Sequence, residues 1–216
     1  MARALAPAPG LLLLDEPFGA LDAATRRDLR RDVRALLRTM GTSGVLVTHD
    51  RAEAMAMGDE LAVMIDGAIR QVGPMPAVFQ RPADPTVARS LGVETVRAAT
   101  TGGVEEGLVT LRLDGVELIA VAETPFRSGE DVFACIRAED VLLEQGPADR
   151  VSARNHLGGV VAAIEHEGAV DRLTFDCGFP LVAAITRRSR EELALAPGSP
   201  VTAVIKATAI HVVPKM

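Results

Sequence analysis

The sequence predicts an α/β unit built on a parallel sheet, followed by a small all-β barrel. Two short apolar runs that end in polar triplets, LLLLDEP (11–17) and GVLVTHD (44–50), flank an amphipathic helix and carry the first part. Beyond Gly92 the chain turns into short alternating strands separated by Gly, Pro and acids, which carries the second.

Residues 11–14 are four leucines that run into Asp15 and Glu16. A continuous apolar run this short reads as a strand buried on both faces, the habit of parallel sheets. Burying four leucines contributes about 6–12 kcal/mol gross. That gain can hold two carboxylates at the strand's carboxyl end, where open α/β sheets place their ligands. A plain core strand has no use for adjacent acids there. A site handling Mg²⁺ and phosphate does: one carboxylate holds the hydrated metal and the next takes a proton from water.

After Asp22, chemically suited to a helix N-cap, Leu29, Val33, Leu36, Leu37 and Met40 recur at helical spacing, and Gly41 stops the helix. Arg26, Arg27, Arg30, Arg31 and Arg34 look like a nucleic-acid stripe. The interleaved Asp28 and Asp32 and a formal net charge of −6 make it a solvated face instead, and no nucleic-acid partner is expected. GVLVTHD is the next strand, ending in Thr48, His49 and Asp50. Strand, helix, strand is a βαβ unit, so both strands end on one edge and Asp15, Glu16 and His49 converge.

MIDGAIRQVG reads as a hairpin turning at Asp66-Gly67, and PMPAVFQRPADPTVARSLG as two short helices broken by Pro82 and Pro85. In the barrel region SREELAL is a helical interruption with Ser189 and Glu192 as a capping pair, ended by Pro197-Gly198. The expected domains are 1–92, 93–150 and 151–216, with no aligned repeat between the last two. Cys135 and Cys177 sit in apolar strand contexts and fit buried reduced thiols, not a metal site or a disulfide framework. No apolar run reaches transmembrane length.

In order and spacing these pieces resemble the ATPase subunit of ABC transporters. LLLLDEP is similar to a Walker B motif with its catalytic glutamate, GALD to the D-loop, and VTHD to the switch-histidine loop. EAMAMGDELAVMIDGAIRQVGPMPAVFQRPADPTVARSLG matches the end of importer ATPases in character. The resemblance covers residues 1 to about 92 and implies a partial P-loop NTPase fold. It further implies that Asp15 holds Mg²⁺ through water, Glu16 polarises the attacking water, His49 contacts the γ-phosphate, and Asp22 acts across a homodimer interface. ATP and Mg²⁺ would be cofactors of the intact domain, and membrane permease subunits its partners at the cytoplasmic face. The sequence holds no GxxxxGK[ST] loop, LSGGQ signature or glutamine loop. Met1 to Leu5 look like the helix just after the signature, so the chain reads as starting partway through a nucleotide-binding domain. Lacking the loop's backbone N–H groups and lysine, this polypeptide alone is expected neither to bind ATP tightly nor to hydrolyse it.

The carboxyl-terminal region resembles the TOBE accessory lobe of importer ATPases, an OB-like barrel, and residues 151–213 resemble its Mop type, a molybdate- and tungstate-binding module. SARN (152–155), CGFPLVAAITRRSREELAL and VIKATAIHVV carry that likeness. A tetrahedral dianion calls for backbone N–H groups, hydroxyls and one or two fixed cations. Ser152, Arg154 and Asn155 supply one such set, and Lys206, Ala207 and Thr208 the other. The resemblance implies that the two segments meet at a dimer interface. His156 and His211 read as strand residues, since no second ligand stands at metal spacing. Three functions follow: an importer ATPase for molybdate, tungstate or a related oxyanion; a stand-alone oxyanion store or sensor; and an importer ATPase for sugar, polyamine or iron.

Overall fold

A computed structural model describes residues 2–7, 9–19, 21–145 and 152–215, apart from the side chains of residues 2, 3, 23 and 24. The chain folds into two compact units, 1–78 and 79–216. This division lies earlier than the change of texture at Gly92.

The first unit contains α1 (Ala2–Leu5), β1 (Leu11–Asp15), α2 (Ala23–Met40), β2 (Ser43–Val47), α3 (Arg51–Met57), β3 (Glu60–Ile65), β4 (Ala68–Pro74) and the start of α4 (Met75–Gln80). β1 and β2 are parallel, in register from Leu11 opposite Ser43 to Asp15 opposite Val47, so the βαβ reading holds. Gly41, at φ 63°, ends α2 in the left-handed region that glycine tolerates. Asp66 and Gly67, both at positive φ, turn the β3–β4 hairpin.

Leu5, Leu12, Leu14, Phe18 and Val33 form the core of this unit, with Leu29, Leu37 and Leu46 against it. The expectation of a strand buried on both faces is corrected here. Leu12 and Leu14 are buried, but Leu11 and Leu13 are 54% and 71% exposed. The sheet has two strands and α2 packs on one face, so the alternate leucines face outward together with Val45 and Val47. Leu36 and Met40 of α2, assigned by spacing to the apolar face, are also exposed.

The second unit opens with the end of α4 and α5 (Pro85–Ser90), then β5 (Thr95–Glu105), β6 (Leu108–Leu113), β7 (Val116–Val121), β8 (Asp131–Ile136) and β9 (Leu142–Glu144). β10 (Asn155–Glu167), β11 (Val170–Asp176), β12 (Pro180–Thr186), α6 (Arg187–Glu192), β13 (Pro200–Ile205) and β14 (Ile210–Pro214) complete it. Two five-stranded antiparallel sheets result, ordered β14-β8-β5-β6-β7 and β12-β11-β10-β13-β9. Their facing residues, among them Leu111, Leu118, Ile136, Leu173, Phe175, Leu181 and Ile205, share one core.

The sheet order exposes a repeat that no aligned repeat had announced. Each half runs four strands, a 3-10 turn (Ala138–Asp140 or Ala207–Ala209) and a last strand that leaves for the other half's sheet. β9 pairs with β13, and β14 pairs with β8. Thr95 lies opposite Ile136 in the first half and Asn155 opposite Ile205 in the second. On that alignment ACIRAEDV (134–141) overlays AVIKATAI (203–210). The exchange of last strands makes 93–145 and 152–215 one folding unit with a common core.

The α6 start is also corrected. Thr186, not Ser189, is the N-cap and accepts from the Ser189 N–H, while Glu192 pairs with Arg188. The helix therefore begins at Arg187. Both cysteines are free and buried. No described helix is long and apolar enough to cross a membrane.

Candidate functional site

The carboxyl rim of the β1–β2 pair brings two of the expected side chains into contact. The Glu16 N–H donates to the Val47 carbonyl at 2.9 Å, which carries the parallel ladder one residue past Asp15. Glu16 then adopts φ 41°, a left-handed conformation that a non-glycine residue holds at some energetic cost. Its carboxylate is thereby turned to His49, whose Nδ1–H donates to Oε1 at 2.8 Å. That hydrogen bond, then the Glu16 charge, raises the His49 pKa above its ordinary 6.5, and Asp50 and Glu53 add to the effect. Both side chains remain open to solvent.

Asp15 sits at the same rim, exposed, opposite Val47. Asp22 stands apart in the following loop and caps α2, with its Oδ1 accepting from the Thr25 N–H at 3.0 Å. Hard carboxylate oxygens at a strand end suit Mg²⁺ held through water. Among the described residues no cluster of three His, Cys, Asp or Glu could hold a metal alone. Asp15 fits an ion whose other ligands are water and phosphate oxygens.

Three residues around the rim were missed from the sequence. Asp50 caps α3, accepting from Ala52 N at 2.7 Å and Glu53 N at 3.2 Å. Glu53 is buried and accepts from the Thr48 hydroxyl at 2.7 Å. Arg26 of α2 reaches both Asp50 and the Leu21 carbonyl. The D-x-x-E spacing of Asp50 and Glu53 was the available signal, since it has the form of a capping box.

In the second unit, the pairing of Asn155 with Ile205 brings the SARN and IKAT segments together within a single chain. Arg154 and Lys206 flank that pair and are exposed, as are Ser152 and Thr208. Among the described residues neither cation has a carboxylate partner, and the backbone N–H of Ala207 has no acceptor.

Asn155 is placed differently from the sequence expectation. It is buried, its Oδ1 accepts from Ile119 N at 2.6 Å, and its Nδ2 donates to Ile119 O at 2.9 Å and Ile205 O at 3.1 Å. A carboxamide has two N–H donors, so none remains for an anion. Asn155 instead clamps β7 to β10 and fixes where Arg154 and Lys206 emerge. His156 and His211 engage the carbonyls of Ala153 and Pro82. Burial lowers the His211 pKa.

Residues 151–212 match the TOBE domain family. Over 99% of its length the chain is 37% identical to a molybdate/tungstate import ATP-binding protein of Pyrococcus horikoshii, covering 59% of that protein. It is 36% identical over 187 residues to a spermidine/putrescine import ATP-binding protein of Nitratidesulfovibrio vulgaris, covering 50% of it. These relatives, matched along most of this chain, are import ATP-binding proteins. The chain spans about three-fifths of the molybdate/tungstate relatives it matches. Among solved structures, a cytoplasmic molybdate-binding protein with molybdate bound is similar over 57% of this chain and 98% of that chain, at 30% identity and a TM-score of 0.53.

Proposed function

We propose that this chain is the carboxyl-terminal portion of an ATP-hydrolysing importer subunit whose cargo is molybdate, tungstate or a related oxyanion. The hydrogen bond between Glu16 and His49 at the rim of a parallel pair carries this reading. A magnesium-bound nucleotide would supply the phosphoanhydride to be cleaved. Asp15 would hold the metal's water shell. Glu16 would accept the proton of the attacking water through the oxygen that His49 leaves free, while His49 would orient the carboxylate and contact the γ-phosphate. Asp22 lies in the loop that would meet a second copy, and permease subunits would complete the assembly at the cytoplasmic face of the membrane. General-base catalysis of this kind contributes about 10²–10⁴-fold in rate. In the complete ATP-binding subunit that includes this segment, Glu16→Gln is expected to lower hydrolysis by that factor. Unchanged hydrolysis overturns the assignment.

The lobe supports an oxyanion site of its own, made by Ser152, Arg154, Lys206, Thr208 and the Ala207 N–H. Two cations without carboxylate partners among the described residues, beside an open N–H, offer the donor set a tetrahedral dianion needs. The similarity to a molybdate-bound protein over the same lobe favours this second, binding role. Isothermal titration of the full chain with molybdate, tungstate and sulfate tests it. Heat from molybdate or tungstate that is lost in Arg154→Glu is expected, and no heat from any of the three refutes the site.

A further inference from the structure

One part-buried guanidinium gathers several of the residues near the rim. Arg26, in the first turn of α2, donates from Nη2 to the Leu21 carbonyl at 2.8 Å. Its Nη1 faces Asp50 Oδ2 at 3.5 Å. Its Nε lies 4.0 Å from Glu53 Oε1 and, among the described residues, is a buried side-chain nitrogen with no hydrogen-bond partner. Leu21 precedes Asp22. Asp50 follows His49, and the Thr48 hydroxyl on the other side of His49 donates to Glu53 while accepting from the Asp50 N–H at 3.0 Å. Arg26 therefore joins the loop that leads away from Glu16 directly to Asp50, and to Thr48 only through the ion pair with Glu53 at 4.0 Å.

We infer that Arg26 is a positioning residue that couples the Asp22 loop to the switch segment Thr48–Asp50 and so sets the Glu16–His49 contact. This inference rests on reading Glu16 and His49 as the ATP site. Buried polar atoms are rarely left unpaired, and an orphan on a charged group calls for an explanation. Closing the gap between Nε and Glu53 by about 1 Å would make a hydrogen bond. The switch segment thus has a second arrangement within reach, in which Arg26 tightens on Glu53. A displacement of Leu21 and Asp22 is passed through the guanidinium to Asp50, and from there to His49. Among the described residues the His49 side chain bonds to Glu16, so its position follows its two neighbours.

The full chain labelled with ¹⁵N tests this, read at one fixed pH from the Nδ1 resonance of His49, which reports its hydrogen bond. Glu16→Gln defines the shift when that bond is weakened. Arg26→Gln is expected to move the resonance at least half as far in the same direction. Arg26→Lys keeps the cation but has one nitrogen to serve Leu21 and Asp50, and is expected to fall between wild type and Arg26→Gln. The methyl signals of Leu12, Leu14 and Val33 report whether the core around β1 survives. If Arg26→Gln disturbs them, Arg26→Lys carries the comparison alone. A Nδ1 resonance that responds to Glu16→Gln but not to either Arg26 variant overturns the coupling and leaves the site standing. A resonance that ignores Glu16→Gln removes the site itself.

Discussion

Replacing Asn155 with alanine distinguishes a structural clamp from an anion ligand. The side chain makes three hydrogen bonds, two to the backbone of Ile119 and one to Ile205, from a buried position. At about 1 kcal/mol net for each bond, the substitution costs about 3 kcal/mol. For a unit of this size, with 2–4 °C lost for roughly each kcal/mol, the transition falls by about 10 °C. Its counterpart in the repeat provides an internal scale. Thr95 accepts a single bond, from Val182 N at 3.1 Å, and Thr95→Val keeps the shape, so about 1 kcal/mol is expected. The chain has no Trp or Tyr, which makes scanning calorimetry the suitable assay. Asn155→Ala is expected to melt well below Thr95→Val. An Asn155→Ala protein as stable as wild type, yet unable to bind molybdate, would refute the clamp and restore Asn155 as a ligand.

Gly159 and Gly158 separate neatly, because a Cβ on Gly159 would lie 2.0 Å from the Asp176 carbonyl oxygen whereas one on Gly158 meets nothing within 4 Å. Gly159→Ala should lose the cooperative transition of the lobe or lower it by more than 10 °C (roughly 3 kcal/mol), and Gly158→Ala should leave it in place. By NMR titration His49 should titrate above 6.5 and return toward that value in Glu16→Gln. The stabilisation linked to this pair is full below pH 6.5 and fades as pH rises through the raised value. Asp171 is buried, and hydrogen bonds from His166 and then Arg190 hold its carboxyl below the ordinary 3.8. Its contribution is present above that pH and lost as pH falls through the folded-state value, so Asp171→Asn should flatten the dependence of unfolding on pH in acid. Burial pushes the Cys135 thiol up to about 12 and the Cys177 thiol upward as well. Iodoacetamide near neutral pH should therefore label both in denaturant and neither in the native protein.

Local chemistry was legible in the sequence and reciprocal geometry was not. The Asp22 cap, the Gly41 stop, the Asp66-Gly67 turn and the convergence of Glu16 with His49 each follow from a few adjacent residues and the handedness of a βαβ unit. The two-sided burial of Leu11–Leu14 failed because burial depends on what covers a strand, and the run itself cannot report that Leu11 and Leu13 face outward while Leu12 and Leu14 pack into the core. Asn155 was misread for a similar reason. SARN announces polar chemistry, but only the fold shows that the carboxamide is consumed by the backbone of Ile119 in β7. Arg26 was hidden among six arginines on one helix, and nothing in their spacing marks the one that turns inward to Leu21 and Asp50. The internal repeat escaped because its halves keep hydrophobic character and register while their polar residues have diverged.

That divergence is where the two halves differ in chemistry. On the repeat alignment Glu94 occupies the place of Arg154, and Ala138 that of Ala207. In the first half the Glu94 carboxylate accepts from the Ala138 N–H at 3.0 Å and is itself held by Arg172. The donor that stands open at Ala207 is thus closed at Ala138 by an anion from the chain. Glu139 and Asp140 add negative charge beside it; burial first, then the charges of Glu139 and Glu94, raise the Asp140 pKa against the pull of Arg137. A dianion approaching the first half meets carboxylates, whereas at Arg154 and Lys206 it meets two cations without such partners. Both halves share strands, turns and register, so topology cannot favour either one. The exchange of a glutamate for an arginine at a single repeated position is the chemical difference that favours the second half for the proposed oxyanion site.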